Sequence, residues 1–335
     1  MPRSQDSHYR LRVLLTVDTE FWPSSPNFSA DITRDLLRPD REHRRDILGE
    51  TARGSYGLPF QLQLLQDNGL RAVYFVESLA ASVVGLDLLR RTVELIRNHG
   101  QEVQLHVHSE WLRVEPNLLL PGRRAQSIRQ LPLEEQRLLL ACARDNLIEA
   151  GCPSVTAYRA GNFGANWDTL RALAEIGIRY DSSYNSSLIG RACDMPTPRP
   201  LFQPEIHDGV WEIPISCFED RPGHLRHVQI GACSFGELAH TLQEAWRHRW
   251  SYFVIVTHSN ELLNAGRTGP NPIVVKRYRQ LCSFLRDHGD RFETITFSDI
   301  QPNQLSGVRQ PERPIRSGIL RTAHRMGEQL AQRFL

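Results

Sequence analysis

Short β-branched apolar runs alternate along the chain with longer stretches in which apolar residues recur at helical spacing. The runs at 12–17, 72–76, 102–108, 155–159, 210–215, 252–257 and 293–297 predict strands. Between them, 58–67, 87–98, 133–149, 167–176, 235–247 and 274–287 predict helices. Gly69, Gly100, Gly151 and Gly177 each follow such a stretch, where a left-handed stop suits glycine. This alternation predicts βα units around a mainly parallel sheet, and seven or eight units favour a closed barrel over an open sheet. Two regions fall outside the rhythm. Residues 186–209, with Pro196, Pro198, Pro200 and Pro204, predict a long loop of the kind that often carries function. After Ile300 a linker containing proline and arginine leads to 315–335, where Ile315, Ile319, Ala323, Met326 and Leu330 recur at helical spacing and Arg316, Arg321, Arg325 and Arg333 fall elsewhere. One amphipathic helix is predicted there, packed on the barrel or docked on a membrane surface or a partner.

The division that follows is a polar segment 1–10, a barrel over 11–300, and a linker with a C-terminal amphipathic helix over 301–335. At 335 residues the chain can bury a substantial core, and no apolar run is long enough to cross a bilayer. Forty Lys+Arg against 38 Asp+Glu give a formal charge of +2, too little excess for a general nucleic-acid binder. Six cysteines without CxxC or zinc-finger spacing read as buried thiols in a reducing compartment. Asp18 and Glu20 follow the first apolar stretch directly, where an export signal would have small residues, so a cytoplasmic location is expected.

In a parallel α/β sheet, catalytic groups gather at the carboxyl ends of the strands, where the following loops converge. Those ends are unusually polar here. The first strand runs into Asp18-Thr19-Glu20, with two carboxyls on one side of an extended chain. In 102–108, alternation sets Gln104, His106 and His108 on one face, with Glu110 and Trp111 following. Arg159, Gly161 and Asn162 close another strand, and Thr257-His258-Ser259-Asn260-Glu261 follows a later one. Each element alone is more often a cap, a solvated turn or a satisfied core residue. Together they would converge on one cavity. Two imidazoles and a carboxylate make an open site for a divalent ion such as zinc. A further carboxylate off the metal could serve as a base and another histidine as an acid, which points to metal-assisted hydrolysis of an amide or ester.

The segments TVDTE (16–20), EVQLHVHSEW (102–111), YRAGNFG (158–164), RYDSS (179–183), VWEIPIS (210–216) and VTHSNEL (256–262) resemble, in order and spacing, the successive motifs of the polysaccharide deacetylases, the NodB-homology or carbohydrate esterase family 4 group. The resemblance runs from about residue 11 to 300. It implies a distorted (β/α)7–8 barrel that removes acetyl groups from N-acetylated, sometimes O-acetylated, sugars with one divalent metal, expected to be zinc.

Carried over by motif position, Asp18 matches the catalytic base, Arg159 the arginine that orients it, His258 the catalytic acid, and Asp181 the aspartate that tunes that acid. The family's metal carboxylate follows its base directly; here Thr19 stands in that place, and Glu20 is the substitute. His106 matches the first metal histidine. Its usual partner lies four residues later, where this chain has Glu110, so His108 is the available imidazole and Glu110 a rival ligand. Amides around Gly161 and Asn162 are expected oxyanion donors, and Trp22 and Trp111 could stack on a sugar ring. The expected partner is an acetylated carbohydrate, a polysaccharide or glycan precursor, with peripheral membrane or glycan-assembly contact through the C-terminal helix. Two alternatives remain: hydrolysis of a non-sugar amide on the same fold, and an inactive barrel that binds a glycan or a partner.

Overall fold

Leu11–Thr19 forms a nine-residue strand, β1, covered on both faces, which is why its sequence reads as one apolar run rather than an alternation. The computed structural model describes residues 9–21, 37–114 and 119–332. After β1 come β2 (Val73–Glu77), β3 (Glu102–Val107), β4 (Ala157–Ala160), β5 (Tyr180–Asp181), β6 (Glu205–His207), β7 (Val210–Glu212), β8 (Tyr252–His258) and β9 (Phe292–Thr294). They join one sheet in the order β8-β1-β2-β3-β4-β5-β7-β6, with β9 added alongside β1. Every pairing in it is parallel except β6 with β7. Helices Leu58–Asp67, Asp87–Asn98, Leu133–Glu149, Trp167–Glu175, Phe235–Arg247 and Pro272–Asp287 lie between the strands in sequence. Gly69, Gly100, Gly151 and Gly177 follow their helices with φ of 63°, 68°, 100° and 80°.

The sheet curls into the expected distorted barrel. Beyond β7, the Ile213 and Ile215 amides donate to the carbonyls of Asp181 and Tyr184 at 2.7 and 2.9 Å. On its other side this segment reaches β8, where Val254 N donates to Ser216 Oγ at 2.9 Å. No ladder joins β7 to β8, so the ring closes through single bonds and is irregular at that point.

Alternation within the strands separates two packing layers. Leu11, Val13, Leu15 and Val17 of β1, with Val103, Leu105 and Val107 of β3, belong to the main core that the helices cover. Leu14, Val73, Phe75, Ala157, Tyr252 and Val254 form a second cluster on the inner face. Period two then puts Thr16 and Asp18 on that inner face beside Leu14, and Arg159 beside Ala157.

Several boundaries differ from the expectation. The run at 293–297 takes no place in the ring: β9 ends at Thr294 and Phe297–Asp299 is a 3-10 turn. Its place is filled by β5, two residues long and too short to register as a periodic run. The 186–209 loop contains β6 near its end. A second, three-stranded sheet joins Cys217–Arg221 to His224–His227 and to Ile315–Arg316. The terminal helix is therefore shorter than expected, Ile319–Gln332, entered through Gly318 at φ 84°. All six cysteines are free, and five are buried.

Candidate metal and catalytic site

The inner face delivers its polar residues at the carboxyl ends of the strands. Asp18 is the register partner of His258 across β1 and β8 and of Phe75 on β2. The Arg159 guanidinium, 0% exposed, donates to Asp18 Oδ1 at 2.7 Å and to Thr16 Oγ1 at 2.8 Å. It also donates to the Ser182 carbonyl at 3.0 Å and to Ser182 Oγ at 3.1 Å, and stands 4.4 Å from the centre of the Phe75 ring. A buried cation with this many acceptors is satisfied only in one orientation, so Asp18 is fixed with it.

Glu20, His106 and His108 meet beside Asp18. One potential ligand atom from each lies within 4.8 Å of the others. His106 Nδ1 donates to the Arg159 carbonyl at 2.9 Å, and His108 Nδ1 faces Glu110 Oε2 at 3.3 Å. Both bonds put the ring proton on Nδ1 and leave Nε2, the atom turned toward Glu20 Oε2, as the lone-pair nitrogen. Glu20 Oε2 is buried against the Nε2 atoms of His108 and, at 3.5 Å, of His106. A buried carboxylate oxygen facing two such nitrogens suits a divalent cation, so the donor set fits the metal that the sequence implies. Burial pushes Glu20 upward, but the two imidazoles hold it well below the usual carboxylate range. Burial pushes His108 down, yet Glu20 and Glu110 hold it well above its ordinary value. A cation at this point would replace that proton. Glu110 sits behind His108 and also accepts from Asn162 Nδ2 at 2.7 Å, so it orients a ligand in this geometry. Glu77, pushed up to about 8 by burial, accepts from the His108 amide at 2.5 Å.

Glycine is required at 161, where a Cβ would lie 2.6 Å from the His108 ring. The next two residues, Asn162 and Phe163, hold φ of 56° and 55°, a left-handed pair at the end of β4 of the kind that clusters at functional sites.

His258 Nδ1 is 3.8 Å from Glu261 Oε2. Glu261 also accepts from Thr257 Oγ1 at 2.6 Å, Gln229 Nε2 at 2.7 Å and Gly231 N at 3.0 Å. Burial pushes His258 down, but the Glu261, Asp18 and Glu20 carboxylates raise it to about 9. Asp18, Glu20, His106, His108, Asn162 and His258 all line one cavity of about 380 Å³. Ala160, Phe163, Leu188, Ala192, His227 and Gln229 complete its wall, Leu188 and Ala192 coming from the long 186–209 segment.

Two residues stand apart from their expected roles. Asp181 accepts from Ser183 Oγ at 2.6 Å and lies against Glu212, and the carboxylates that raise His258 are Glu261, Asp18 and Glu20 instead. Burial raises both carboxyls, and the neighbouring Asp181 charge adds to the rise at Glu212, so the pair holds a proton between them. The carboxylate beside the histidine is Glu261. Trp111 is 0% exposed and packs edge-on against Phe21 at 5.7 Å, so it has no face for a sugar. Trp22 lies outside the described residues. Glu261 stood in the VTHSNEL motif without a role; Gln229 and His227, in a stretch without regular period, gave no signal.

No family model matches the chain, and no curated protein matches it. Among solved structures it is similar to a protein from Mycobacterium smegmatis described as a candidate polysaccharide deacetylase, with 18% identity, a TM-score of 0.53, and 93% of this chain and 97% of that one covered. A family 4 carbohydrate esterase from Streptomyces lividans, in complex with acetate, aligns at 13% identity over 90% of this chain and 97% of the other, with a TM-score of 0.42. A CE4 family pseudoenzyme from Bacillus anthracis aligns at 12% identity and a TM-score of 0.42, with 85% and 64% covered. The chain has the fold of the polysaccharide deacetylases. Its residues Glu20, His106 and His108 form a possible metal site on that fold.

Proposed function

We propose that the protein is a metal-dependent hydrolase that removes acetyl groups from the N-acetylated sugars of a polysaccharide or glycan precursor. The observation that carries this reading is the shared cavity: a carboxylate locked by a buried arginine, a charged histidine beside it on the adjacent strand, and a Glu-His-His donor set lining the same space. Glu20, His106 and His108 would hold the ion, which when bound polarises the acetyl carbonyl and lowers the pKa of a water. Asp18, oriented by Arg159, takes a proton from the attacking water. His258 is protonated at neutral pH and gives its proton to the departing sugar nitrogen, so the amide and water become acetate and an amine. Amides at Gly161 and Asn162 are the candidate donors to the oxyanion. Glu261 keeps His258 charged and turned to the cavity.

Acetate release from a panel of N-acetylated sugars and non-sugar amides, measured beside metal content, tests the reading. Asp18→Asn should lower turnover about 10²-fold or more with the metal retained, because it removes a base and no ligand. His106→Ala should lose the metal. Stoichiometric metal in the native protein with no release from any substrate would favour a binding barrel. Release from the non-sugar amides alone would favour the other hydrolase.

A further inference from the structure

The helix Ile319–Gln332 meets the rest of the protein with its polar side. Arg325, 3% exposed, donates to Asp220 Oδ2 at 2.7 Å and to Glu237 Oε1 at 3.0 Å. Thr322 Oγ1 donates to the Asp220 carbonyl at 2.9 Å, and Glu328 accepts from Arg277 at 2.8 Å. At about 100° per residue these positions fall on one side of the helix. Ile319, Leu320, Ala323, Met326 and Leu330 fall on the other. Their large members are 78%, 87%, 58% and 57% exposed, in that order without Ala323. An amphipathic helix ordinarily turns its apolar stripe to the core. Here buried ion pairs fix it the other way round.

We infer that this face lies on an anionic lipid bilayer, with the apolar side chains inserted at headgroup level and nearby cations on the phosphates. The helix is docked by residues along its length, so it lies flat on the protein. No helix among the described residues is long and apolar enough to cross a membrane, which fits an interfacial position. Charge selects the occupant. Between 309 and 333 the sequence carries Arg309, Arg313, Arg316, Arg321, Arg325 and Arg333 against Glu312 and Glu328. Arg325 is committed to Asp220 and Glu237, Arg316 to Glu219 and Glu328 to Arg277, which leaves Arg309, Arg313 and Arg321 exposed against Glu312. Anionic headgroups complement this excess. A second copy of the chain would instead bring the same cations together across a two-fold interface.

Flotation of the full chain with phosphatidylcholine vesicles, with and without phosphatidylglycerol, tests the inference without reference to catalysis. The protein should float with the phosphatidylglycerol vesicles and lose binding as salt is raised to about 0.5 M. Leu320→Gln/Met326→Gln changes only exposed side chains; it should lower the bound fraction about tenfold or more and leave the thermal melt unchanged. Equal flotation of native and variant protein, or no flotation of the native protein, overturns the inference. A concentration-dependent dimer abolished by the same two substitutions, without flotation, overturns it in favour of a second copy.

Discussion

Replacing Glu261 by glutamine keeps the side chain's shape and removes its charge from beside His258. In the native protein His258 sits at about 9, roughly 2.5 pH units above its ordinary 6.5, despite burial that acts in the opposite direction. At pH 7.5 that leaves about thirty charged imidazoles for each neutral one. Without Glu261 the remaining upward influences are Asp18 and Glu20, and a bound metal withdraws the second. The histidine should return to its ordinary value or below, with about a tenth or less of it charged at pH 7.5. A general acid must carry its proton, so the alkaline limb of kcat/KM should move from about 9 to near neutrality. Activity at pH 7.5 should fall about tenfold and recover in part as the pH is lowered. Stability has a definite sign as well. A folded-state pKa above the unfolded one contributes stability that is complete below about 6.5 and is lost as pH rises through about 9, here on the order of 3 kcal/mol. Glutamine should flatten that dependence. Histidine Cε1–H chemical shifts followed against pH, together with pH–rate profiles, provide the assay. Superimposable His258 titrations in the two proteins would refute the assignment of Glu261.

Arg159→Met keeps an unbranched chain near Phe75 but strands the Asp18 carboxylate at 3% exposure, so urea denaturation should show a loss of about 3–5 kcal/mol; a loss below about 1 kcal/mol would mean that the pair is not needed. Gly161→Ala places a methyl group 2.6 Å from the His108 ring and must move it, so metal affinity should fall about 10–100-fold, and unchanged affinity in a chelator competition would remove His108 from the ligand set.

Much of this architecture was legible because period and chemistry agree in the central strands. In β1 and β3 the alternation that sends valine and leucine outward sends Asp18 and His106 inward, and in β4 and β8 it sends Tyr158, Phe253 and Ile255 outward and Arg159 and His258 inward. Helix ends were legible for a local reason, since a left-handed glycine stop needs no tertiary partner. What could not be read depends on contacts between distant segments. Tyr180–Asp181 becomes a strand only because β4 and β7 lie on either side of it. Asp181 was assigned from its motif, but the carboxylate that reaches His258 comes from Glu261, three residues further along the same chain segment. Trp111 follows a polar strand end, yet the turn after it carries the ring into the core against Phe21. The terminal helix shows the point most clearly. Its periodicity gave the element, while its orientation was decided by Asp220 and Glu237, about a hundred positions away in sequence.

Arg277 gives the tail a second consequence. With one nitrogen it holds Glu328, and with the other it donates to the carbonyls of Ile230 and Gly231, the stretch whose amide in turn grips Glu261. Cutting the chain before the last helix would thus leave Arg277 without Glu328 and Glu237 without Arg325, while Asp220 would keep Arg226 and His224. The loss would fall beside Gly231, whose amide holds the carboxylate next to His258. A shortened protein is a poor stand-in for the whole: its chemistry should falter before its barrel does.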